Sequence, residues 1–491
     1  MKKENAYLIL IAVIAGTAYV LTLYPGAVVF ANDSARFQFL GKVLGTAHTT
    51  GYPLYTVINH FFVKVFPLGN LAYKVNLLST VFSLLALLFL FKILLLLELP
   101  QPNAFLVTLM FASTRMLWQQ SVIAEVYTLH LFFISNVLYF FIKWSKAKEN
   151  KYFFTATFFY AISFGNHLTS ITLLPAIIYI VWATDKKSFS DPKKIAGVFL
   201  FIVVGAAQYG YLFWRYSDPG AIYLLGQVYD FRSFIDFISG EGWKSKMFGF
   251  PVWEIVVKRI PMFFYKLAIE FFYLLFPVGI LGTLAWKEKK TNIFLLLCFT
   301  GNSFFAINYD IWDIDPYFIP SFFIFSIYVG IGFQKISCLL EKKIKNPKPL
   351  VYGMMLFMLV SLLGINFHYN KFYSQPAKIT ASEKVKDVLK RVGRDSLIIA
   401  PDYGYFECLM YYLLGEELEK KMNIYAVHTS QSEEVRDYIL KNKAFVLPQQ
   451  RKRIPLGLKV FCREQDKLYW LHRGFLLEEV MAGLFRTTKK V

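Results

Sequence analysis

A few ionisable and hydrogen-bonding residues stand at the ends of apolar runs, and their types suggest proton transfer combined with phosphate binding. A carboxylate can take a proton from a hydroxyl group, and cationic or hydrogen-bonding side chains can hold a phosphate. Polar groups close to a membrane are costly, so their positions carry information. The candidates, in chain order, are Asp33, Arg36, His48, Arg115, Glu125, Tyr127, Asn166, His167, Asp310, Asp313 and Asp315.

The composition excludes several classes of protein. Of 491 residues, 56% are hydrophobic, 19% aromatic and only 18% charged, whereas soluble domains are about 25% charged. A soluble enzyme, a disordered chain and a disulfide scaffold are therefore excluded, and a membrane protein is indicated. In such a protein the net charge of +20 indicates cytoplasmic loops and lipid headgroups, with no nucleic acid as partner.

Eleven apolar runs predict about eleven transmembrane helices, since roughly 20 residues cross the hydrocarbon layer. The runs lie near 7–23, 71–98, 102–118, 123–142, 152–165, 167–183, 195–214, 262–286, 291–308, 316–338 and 350–368. The first outer loop carries a shorter pattern, with apolar residues at Leu54, Val57, Ile58 and Phe61. This spacing predicts an interfacial helix that lies in the membrane surface.

Lysine-rich connections alternate with connections that lack lysine and arginine. Lysines gather near 143–151, 186–194, 287–290 and 342–348, whereas 119–122, 165–167 and 309–315 hold none. The positive-inside rule then predicts a cytoplasmic N-terminus and places most of the candidates on the opposite side. We expect Asp33, Glu125, His167 and the aspartates of 310–315 to converge there.

The C-terminal part has a different composition. Residues 375–491 are more charged and contain no spanning run, and helix-like pieces alternate with strand-like pieces such as Ser396–Ala400. We expect a membrane domain over 1–370 and a small extracytoplasmic α/β domain over 375–491. Asp402 and Tyr403, after the predicted strand, are natural contact points for an acceptor or part of a plain turn.

Each candidate also has a structural interpretation. Asp33 could cap the following helix, and Glu125 could cap another or pair with Arg115. Asn166 and His167 could form a hydrogen-bonded helix start. The three aspartates of 310–315 could form a solvated loop, bind a cation or hold acceptor hydroxyls. Asn32-Asp33-Ser34 matches a glycosylation sequon, which we discount because it lies close to the expected membrane surface.

Transfer of a sugar from a polyprenyl phosphate would use this arrangement. The lipid tail needs an apolar groove, the phosphate needs cationic or hydrogen-bonding groups, and the acceptor hydroxyl needs a carboxylate base. Asp310, Asp313 and Asp315 are candidates for holding the acceptor. The candidates for binding the donor phosphate or sugar are an outer-loop lysine or arginine and Arg36, His48, Arg115, Glu125, Tyr127, Asn166 and His167. Phosphate is a good leaving group, so no cofactor is required, and a divalent metal stays an open question. A Walker A motif, HExxH and a Rossmann glycine fingerprint are absent from the sequence, which argues against a nucleotide as direct substrate.

Four segments, mainly within residues 1–185, resemble a known family. They are Asn32-Asp33-Ser34-Ala35-Arg36-Phe37, Ala47-His48-Thr49-Thr50-Gly51-Tyr52-Pro53, Trp118 to Tyr127, and Gly165-Asn166-His167-Leu168-Thr169. An acid in the first outer loop resembles the GT-C superfamily of membrane glycosyltransferases. In more detail, the segments are similar to the domain-of-unknown-function 2723 family, which is glycosyltransferase family 117, with members like protein O-mannosyltransferases.

The resemblance implies a polytopic GT-C-like α-helical fold and inverting transfer of a hexose, mannose in the best-understood branch, to a hydroxyl of a protein or glycan. It implies that Asp33 is the general base and that Glu125 and His167 line its cavity. The chain departs from the family at Ala35-Arg36, where Gly-Glu is usual, and at Thr49-Thr50, where Pro-Pro is usual. Arg36 therefore reverses a charge beside the proposed base, where it could bind the donor phosphate or indicate a different donor or acceptor. The expected partners are a polyprenyl-phosphate sugar, the acceptor and the lipid bilayer.

Two other functions fit a membrane protein with an outer domain. A transporter or lipid flippase would place ionisable groups near mid-bilayer, often in two related halves, whereas here the candidates lie at one rim. A non-catalytic assembly or receptor protein would make Asp33, Glu125 and His167 individually dispensable.

Overall fold

Long apolar helices dominate the computed structural model. It describes residues 2–27, 33–226, 228–374, 376–400, 403–447, 452–463, 475–481 and 484–489. Within these residues, six helices are long and apolar enough to cross a membrane: Lys3–Leu21, Leu71–Leu96, Pro192–Ser217, Lys289–Ile307, Asp315–Leu340 and Lys348–Lys371. A bent pair, Val252–Glu270 and Leu275–Ala285, meets at 108° and adds a seventh if it forms one span. The chain is a multi-pass membrane protein.

The α-helices follow one another with short connections. They are α1 (Lys2–Leu21), α2 (Ser34–Val43), α3 (Pro53–Val65), α4 (Leu71–Leu96), α5 (Gln101–Ala112), α6 (Arg115–Ser121), α7 (Tyr127–Ala147), α8 (Asn150–Ser163), α9 (Leu174–Thr184), α10 (Pro192–Ala207), α11 (Gly210–Ser217), α12 (Phe231–Ser239), α13 (Val252–Glu254), α14 (Ile260–Glu270), α15 (Leu275–Ala285), α16 (Lys289–Ile307), α17 (Ile319–Leu340), α18 (Lys348–Ser374), α19 (Pro376–Val392), α20 (Tyr403–Met410), α21 (Leu418–Met422) and α22 (Ser432–Lys441).

Each of the eleven apolar runs contains or overlaps an α-helix, but several of these helices are short. The run 102–118 is divided into α5 and α6 at Ser113-Thr114, and α8 and α9 have 14 and 11 residues. Helices of this length cross about 30 Å of hydrocarbon only when they are joined to another segment. The number of spans therefore stays a prediction.

The predicted interfacial helix is α3, and its buried face is the polar one. Tyr55, Thr56 and Asn59 are buried, whereas Phe61 and Val65 are 62% and 80% exposed. Such a helix turns its apolar face outward because that face is covered by lipid. The Nδ2 atom of Asn59 donates a hydrogen bond of 2.7 Å to the carbonyl of Phe37 in α2, which ties the two helices of the first outer loop together.

The C-terminal region is α/β, as predicted. The strands are β1 (Ser396–Ala400), β2 (Ile424–His428), β3 (Val446–Leu447), β4 (Lys452–Arg453), β5 (Lys459–Arg463), β6 (Phe475–Met481) and β7 (Leu484–Lys489). Five of them form a sheet in the order β2-β1-β5-β7-β6. Strand β1 is parallel to β2 and β5, and β7 is antiparallel to β5 and β6.

The C-terminal region and the first outer loop share one hydrophobic core. Phe37 and Phe39 of α2 belong to the same buried cluster as Phe406 and Leu409 of α20. A π-helical turn, Tyr411–Gly415, follows α20 and packs on α2. The proposed division into 1–370 and 375–491 stays a prediction, but buried contacts run across it.

Candidate active site

A cavity of about 1150 Å³ opens where the first outer loop, the connection before α7, the loop before α17 and the start of α20 meet. Its walls combine acids, aromatic rings and two cationic side chains, Arg36 and Lys246. The lining residues include seven of the sequence candidates: Asp33, Arg36, His48, Glu125, Tyr127, Asp310 and Asp313. The residues that were predicted to converge meet here only in part: His167 and Asp315 do not line the cavity, whereas Asp33, Glu125, Asp310 and Asp313 do.

Asp33 precedes α2, but its carboxylate does not cap the helix. The residue occupies the N-cap position and makes no side-chain capping hydrogen bond. Its Oδ1 accepts a hydrogen bond of 2.8 Å from Nη1 of Arg36, and its Oδ2 lies 3.6 Å from Nε2 of His48. Burial opposes ionisation, but His48, when protonated at acid pH, together with the charge of Arg36 and its hydrogen bond, holds the pKa of Asp33 below its ordinary value. Asp33 is therefore ionised at neutral pH, with 32% of its side chain exposed.

The contacts of His48 determine its tautomer. Its Nδ1 lies 2.8 Å from Nη1 of Arg36, and a guanidinium only donates, so Nδ1 accepts. The ring proton is then on Nε2, which lies 3.2 Å from the hydroxyl oxygen of Tyr52. Burial and the Arg36 charge lower the pKa of His48, although Asp33 opposes them. His48 is thus neutral at pH 7, and its Nε2–H group lies between Asp33 and Tyr52.

Glu125 has the opposite electrostatic environment. It is buried, and its Oε1 accepts a hydrogen bond of 2.8 Å from the hydroxyl of Ser34. Burial raises the pKa of Glu125 well above its ordinary value, and the charges of Asp33 and Asp313 add to the shift. Two carboxyl groups of one cavity thus have pKa values moved in opposite directions, which is common where acids have different chemical roles.

The three aspartates of the loop before α17 occupy different environments. Asp310 and Asp313 line the cavity. Burial, together with the charges of Asp33 and Asp315, raises the pKa of Asp313 to about 6. Asp315 lies outside the cavity wall and forms an ion pair of 2.6 Å with Lys266 of α14.

Asn166 and His167 lie behind the cavity wall. Asn166 donates a hydrogen bond of 3.1 Å to the carbonyl of Val126, and so supports the loop that carries Glu125. His167 packs against the rings of Tyr127 and Tyr317, at centroid distances of 5.8 and 5.3 Å. Its Nδ1 lies 2.7 Å from the hydroxyl of Thr169, so the helix-start interpretation describes these contacts well. Burial and the His48 charge lower the pKa of His167 to about 3.

Solved structures share this arrangement of helices and C-terminal region. The ArnT of Cupriavidus metallidurans in the apo state aligns with a TM-score of 0.64 at 11% identity, over 98% of each chain. The same protein bound to undecaprenyl phosphate gives 0.64 at 10% identity, again over 98% of each chain. The oligosaccharyltransferase of Archaeoglobus fulgidus gives 0.56 at 12% identity, over 95% of this chain and 70% of its own. The chain has the GT-C fold.

The sequence comparisons agree with the resemblance that the motifs indicated. Residues 33–190 match the model for the N-terminal domain of the protein O-mannosyl-transferase TMEM260. The mouse protein O-mannosyl-transferase TMEM260 is 32% identical over 141 residues, which are 29% of this chain and 20% of that protein. The Dictyostelium discoideum protein of the same description is 22% identical over 379 residues, which are 70% of this chain and 46% of its own. The chain thus matches less than half the length of these relatives, and its GT-C resemblance is confirmed.

Arg115, a candidate for binding the donor phosphate, does not line the cavity of this GT-C chain. It begins α6, and its guanidinium stacks over the ring of Tyr369 in α18 at 3.9 Å from the centroid. Arg115 is not the partner of Glu125, which bonds to Ser34 instead. The physical reason is that α6 starts at Arg115, whereas Glu125 follows the other end of this helix.

Several cavity residues were not among the candidates. Lys246 and Trp243 come from the long outer segment between α12 and α13, and Trp312 comes from the loop before α17. Tyr403, noted as a natural contact point, does line the cavity, whereas Asp402 and Asn32 lie outside the described residues. A lysine or arginine in an outer loop was the only available signal for Lys246.

Glu407 is the main site residue that the sequence did not indicate. It lies on α20 and is buried, and its Oε1 accepts hydrogen bonds from Nε and Nη2 of Arg36. The single hint was Arg36 itself, because a buried arginine beside one acid calls for further acceptors. Among the described residues, no three His, Cys, Asp or Glu side chains come close enough together to hold a metal ion.

Proposed function

We propose that this chain transfers a hexose, with mannose as the candidate sugar, from a polyprenyl-phosphate donor to a hydroxyl acceptor. The names of the sequence relatives support a protein acceptor, and the undecaprenyl phosphate in an ArnT structure supports a polyprenyl donor. The observation that carries the proposal is the carboxylate of Asp33, which lies on the wall of a large cavity and has one oxygen held by Arg36. We assign Asp33 as the general base.

The reaction is a single displacement. The acceptor oxygen forms a bond to the anomeric carbon while the bond from that carbon to the phosphate oxygen breaks. The hydroxyl proton passes to Oδ2 of Asp33, and the bonding electron pair leaves with the lipid phosphate. Attack from the side opposite the phosphate inverts the anomeric configuration. Because phosphate leaves readily, the scheme has no step that requires a metal ion.

Other cavity residues have roles that follow from their charge. Lys246, which has no ion-pair partner within the described part of the chain, attracts the donor phosphate, and Arg36 adds positive potential beside Asp33. Glu125 and Tyr127 hydrogen-bond the sugar hydroxyls, since the raised pKa of Glu125 lets its carboxyl group donate. Asp310 and Asp313 hold the acceptor at the other wall.

The orientation in the membrane is part of the proposal. Lysine-rich connections such as 143–151 and 342–348 lie on the cytoplasmic side by the positive-inside rule. The N-terminus is then cytoplasmic, and the cavity and the α/β region are extracytoplasmic. The donor tail lies in the bilayer, its phosphate at the level of the headgroups, and its sugar in the cavity.

The test is a transfer assay in membranes that contain the chain, with radiolabelled polyprenyl-phosphate mannose and other polyprenyl-phosphate hexoses as donors. Label should move to protein in the presence of the wild-type chain. Asp33→Asn keeps the size of the side chain but removes its basicity, so transfer should fall by about 10³-fold while the protein stays folded. Near-normal turnover by Asp33→Asn would refute the base assignment. Movement of intact donor across the membrane without transfer would instead indicate a flippase.

A further inference from the structure

Arg36 has its hydrogen bonds divided between two acids that come from distant parts of the chain. Its Nη1 donates to Oδ1 of Asp33 at 2.8 Å and lies 2.8 Å from Nδ1 of His48. Its Nε and Nη2 both donate to Oε1 of Glu407, at 3.1 and 2.7 Å. Glu407 lies 371 residues further along the chain and is 1% exposed. The two N–H groups on one edge of the guanidinium are thus committed to the C-terminal region.

Glu407 is itself held in place. Its second oxygen, Oε2, accepts a hydrogen bond from the hydroxyl of Tyr223, a fully buried residue whose ring packs edge-on against Phe39 at 4.8 Å. Because the carboxylate is fixed at both oxygens, the orientation of the Arg36 guanidinium is fixed as well. Glu407 does not line the cavity, so it has no contact with a bound substrate.

The arrangement matters because arginine and carboxylate groups prefer a bidentate pair. Asp33 lies three residues before Arg36, and its Oδ1 is already 2.8 Å from Nη1 of Arg36, so rotation of the guanidinium would bring a second N–H group towards Oδ2. Without Glu407, Arg36 would turn its free edge onto Asp33 and cover Oδ2. That oxygen is the one the proposed function assigns to the acceptor proton.

We propose that Glu407 is a positioning residue that draws the guanidinium edge of Arg36 away from Asp33 and so keeps Oδ2 of Asp33 open to the cavity. Charge neutralisation alone does not require Glu407, since Asp33 already neutralises Arg36, and a second buried carboxylate adds a desolvation cost. The C-terminal region thereby completes the site of the membrane region. The proposal rests on the proposed function for its kinetic consequence only.

The kinetic test compares Glu407→Gln with two other variants in the transfer assay. Glu407→Gln should lower kcat by about 100-fold, the size expected when a reacting group is misplaced, and leave KM for the donor within about 2-fold. Tyr223→Phe keeps the charge of Glu407 and loses one of its contacts, so a smaller loss in kcat is expected. Glu416→Gln changes an exposed acid in the same segment and should leave both constants unchanged. Equal kcat values for Glu407→Gln and wild type would overturn the proposal.

A chemical test is independent of activity. A water-soluble carbodiimide with an amine labels accessible carboxyl groups, and peptide mass spectrometry reports the extent at Asp33. Labelling of Asp33 should fall several-fold in Glu407→Gln and return in the double variant Arg36→Met, Glu407→Gln, because Arg36 is the group that covers Oδ2. Unchanged or increased labelling of Asp33 in a folded Glu407→Gln protein would overturn the proposal.

Unfolding of Glu407→Gln would be recognised by increased labelling of Glu270, which is buried and does not line the cavity. In that case Glu407→Asp, which keeps the charge but is one methylene shorter, would replace Glu407→Gln in the test. Labelling of Asp33 should then fall to an intermediate level. If the wild-type chain transfers no sugar, the proposed function fails, while the labelling result still decides the role of Glu407.

Discussion

The hydroxyl of Ser34 donates a hydrogen bond of 2.8 Å to Oε1 of Glu125, across 91 residues of sequence. Ser34 begins α2, directly after Asp33, and Glu125 lies just before α7. This contact therefore links the segment before α2 to the segment before α7 and holds the carboxyl groups of Asp33 and Glu125 at the same cavity. The link is buried at both ends, so its loss would leave a polar group without a hydrogen bond.

Ser34→Ala should destabilise the protein by about 1–2 kcal/mol, because Glu125 loses a hydrogen bond at a buried site. The measurement is thermal or denaturant unfolding in detergent. Ser135→Ala is the matched control, since the Ser135 hydroxyl bonds only to the Phe132 carbonyl of its own helix. Equal losses of stability in the two variants would show that the Ser34–Glu125 hydrogen bond contributes no more than a hydrogen bond within one helix.

Lys246→Ala should raise KM for the polyprenyl-phosphate donor by about 10-fold, since one charge-assisted contact to phosphate is worth about 1.5 kcal/mol. The effect should shrink at high salt, because ions screen an exposed charge. Lys244→Ala is the control: Lys244 lies two residues away, pairs with Glu241 and does not line the cavity. The phosphate assignment fails if both variants change KM alike.

Asp313→Asn should stabilise the protein at pH 7.5 and have no effect at pH 3.5. In the folded state the pKa of Asp313 is raised from 3.8 to about 6, so the favourable contribution of its protonated form is fully present below pH 3.8. This contribution is lost as the pH rises through about 6, where the ionised group meets burial and the charge of Asp33. Allowing for solvent screening at a partly exposed group, the gain is about 1–2 kcal/mol.

The measurement is the free energy of unfolding of the wild-type and Asp313→Asn proteins between pH 3.5 and pH 7.5. The difference between them should grow between pH 4 and pH 7. A constant difference, or stabilisation at low pH only, would contradict the raised pKa.

Gly41→Ala should destabilise the protein by about 2–3 kcal/mol through overpacking between α2 and α3. A Cβ atom at Gly41 would lie 2.5 Å from the side chain of Asn59 and 2.8 Å from the backbone nitrogen of His60. Gly353→Ala in α18 is the control, since a Cβ there meets nothing within 4 Å, and a helical alanine is favoured over glycine. Comparable stability of the two variants would argue against the close approach of α2 and α3.

The sequence by itself determined the features that depend on local pattern. Apolar runs predicted the positions of the helices, because a chain in lipid must satisfy its backbone hydrogen bonds within each segment. The spacing at 54–65 predicted α3, and the strand-like segment Ser396–Ala400 predicted β1. The motif resemblance at Asp33, Glu125 and His167 indicated the GT-C fold, which the comparisons confirmed.

Only the tertiary structure decided which polar side chains meet. Arg36 follows Asp33 in the sequence and Arg115 precedes Glu125, yet Arg115 stacks on Tyr369 while Arg36 reaches Asp33 and Glu407. The difference arises because a side-chain contact depends on how helices distant in sequence pack, here α20 against α2. A local sequence pattern indicates which face of one helix is apolar, but the packing of the whole chain determines which group lies next to a buried charge.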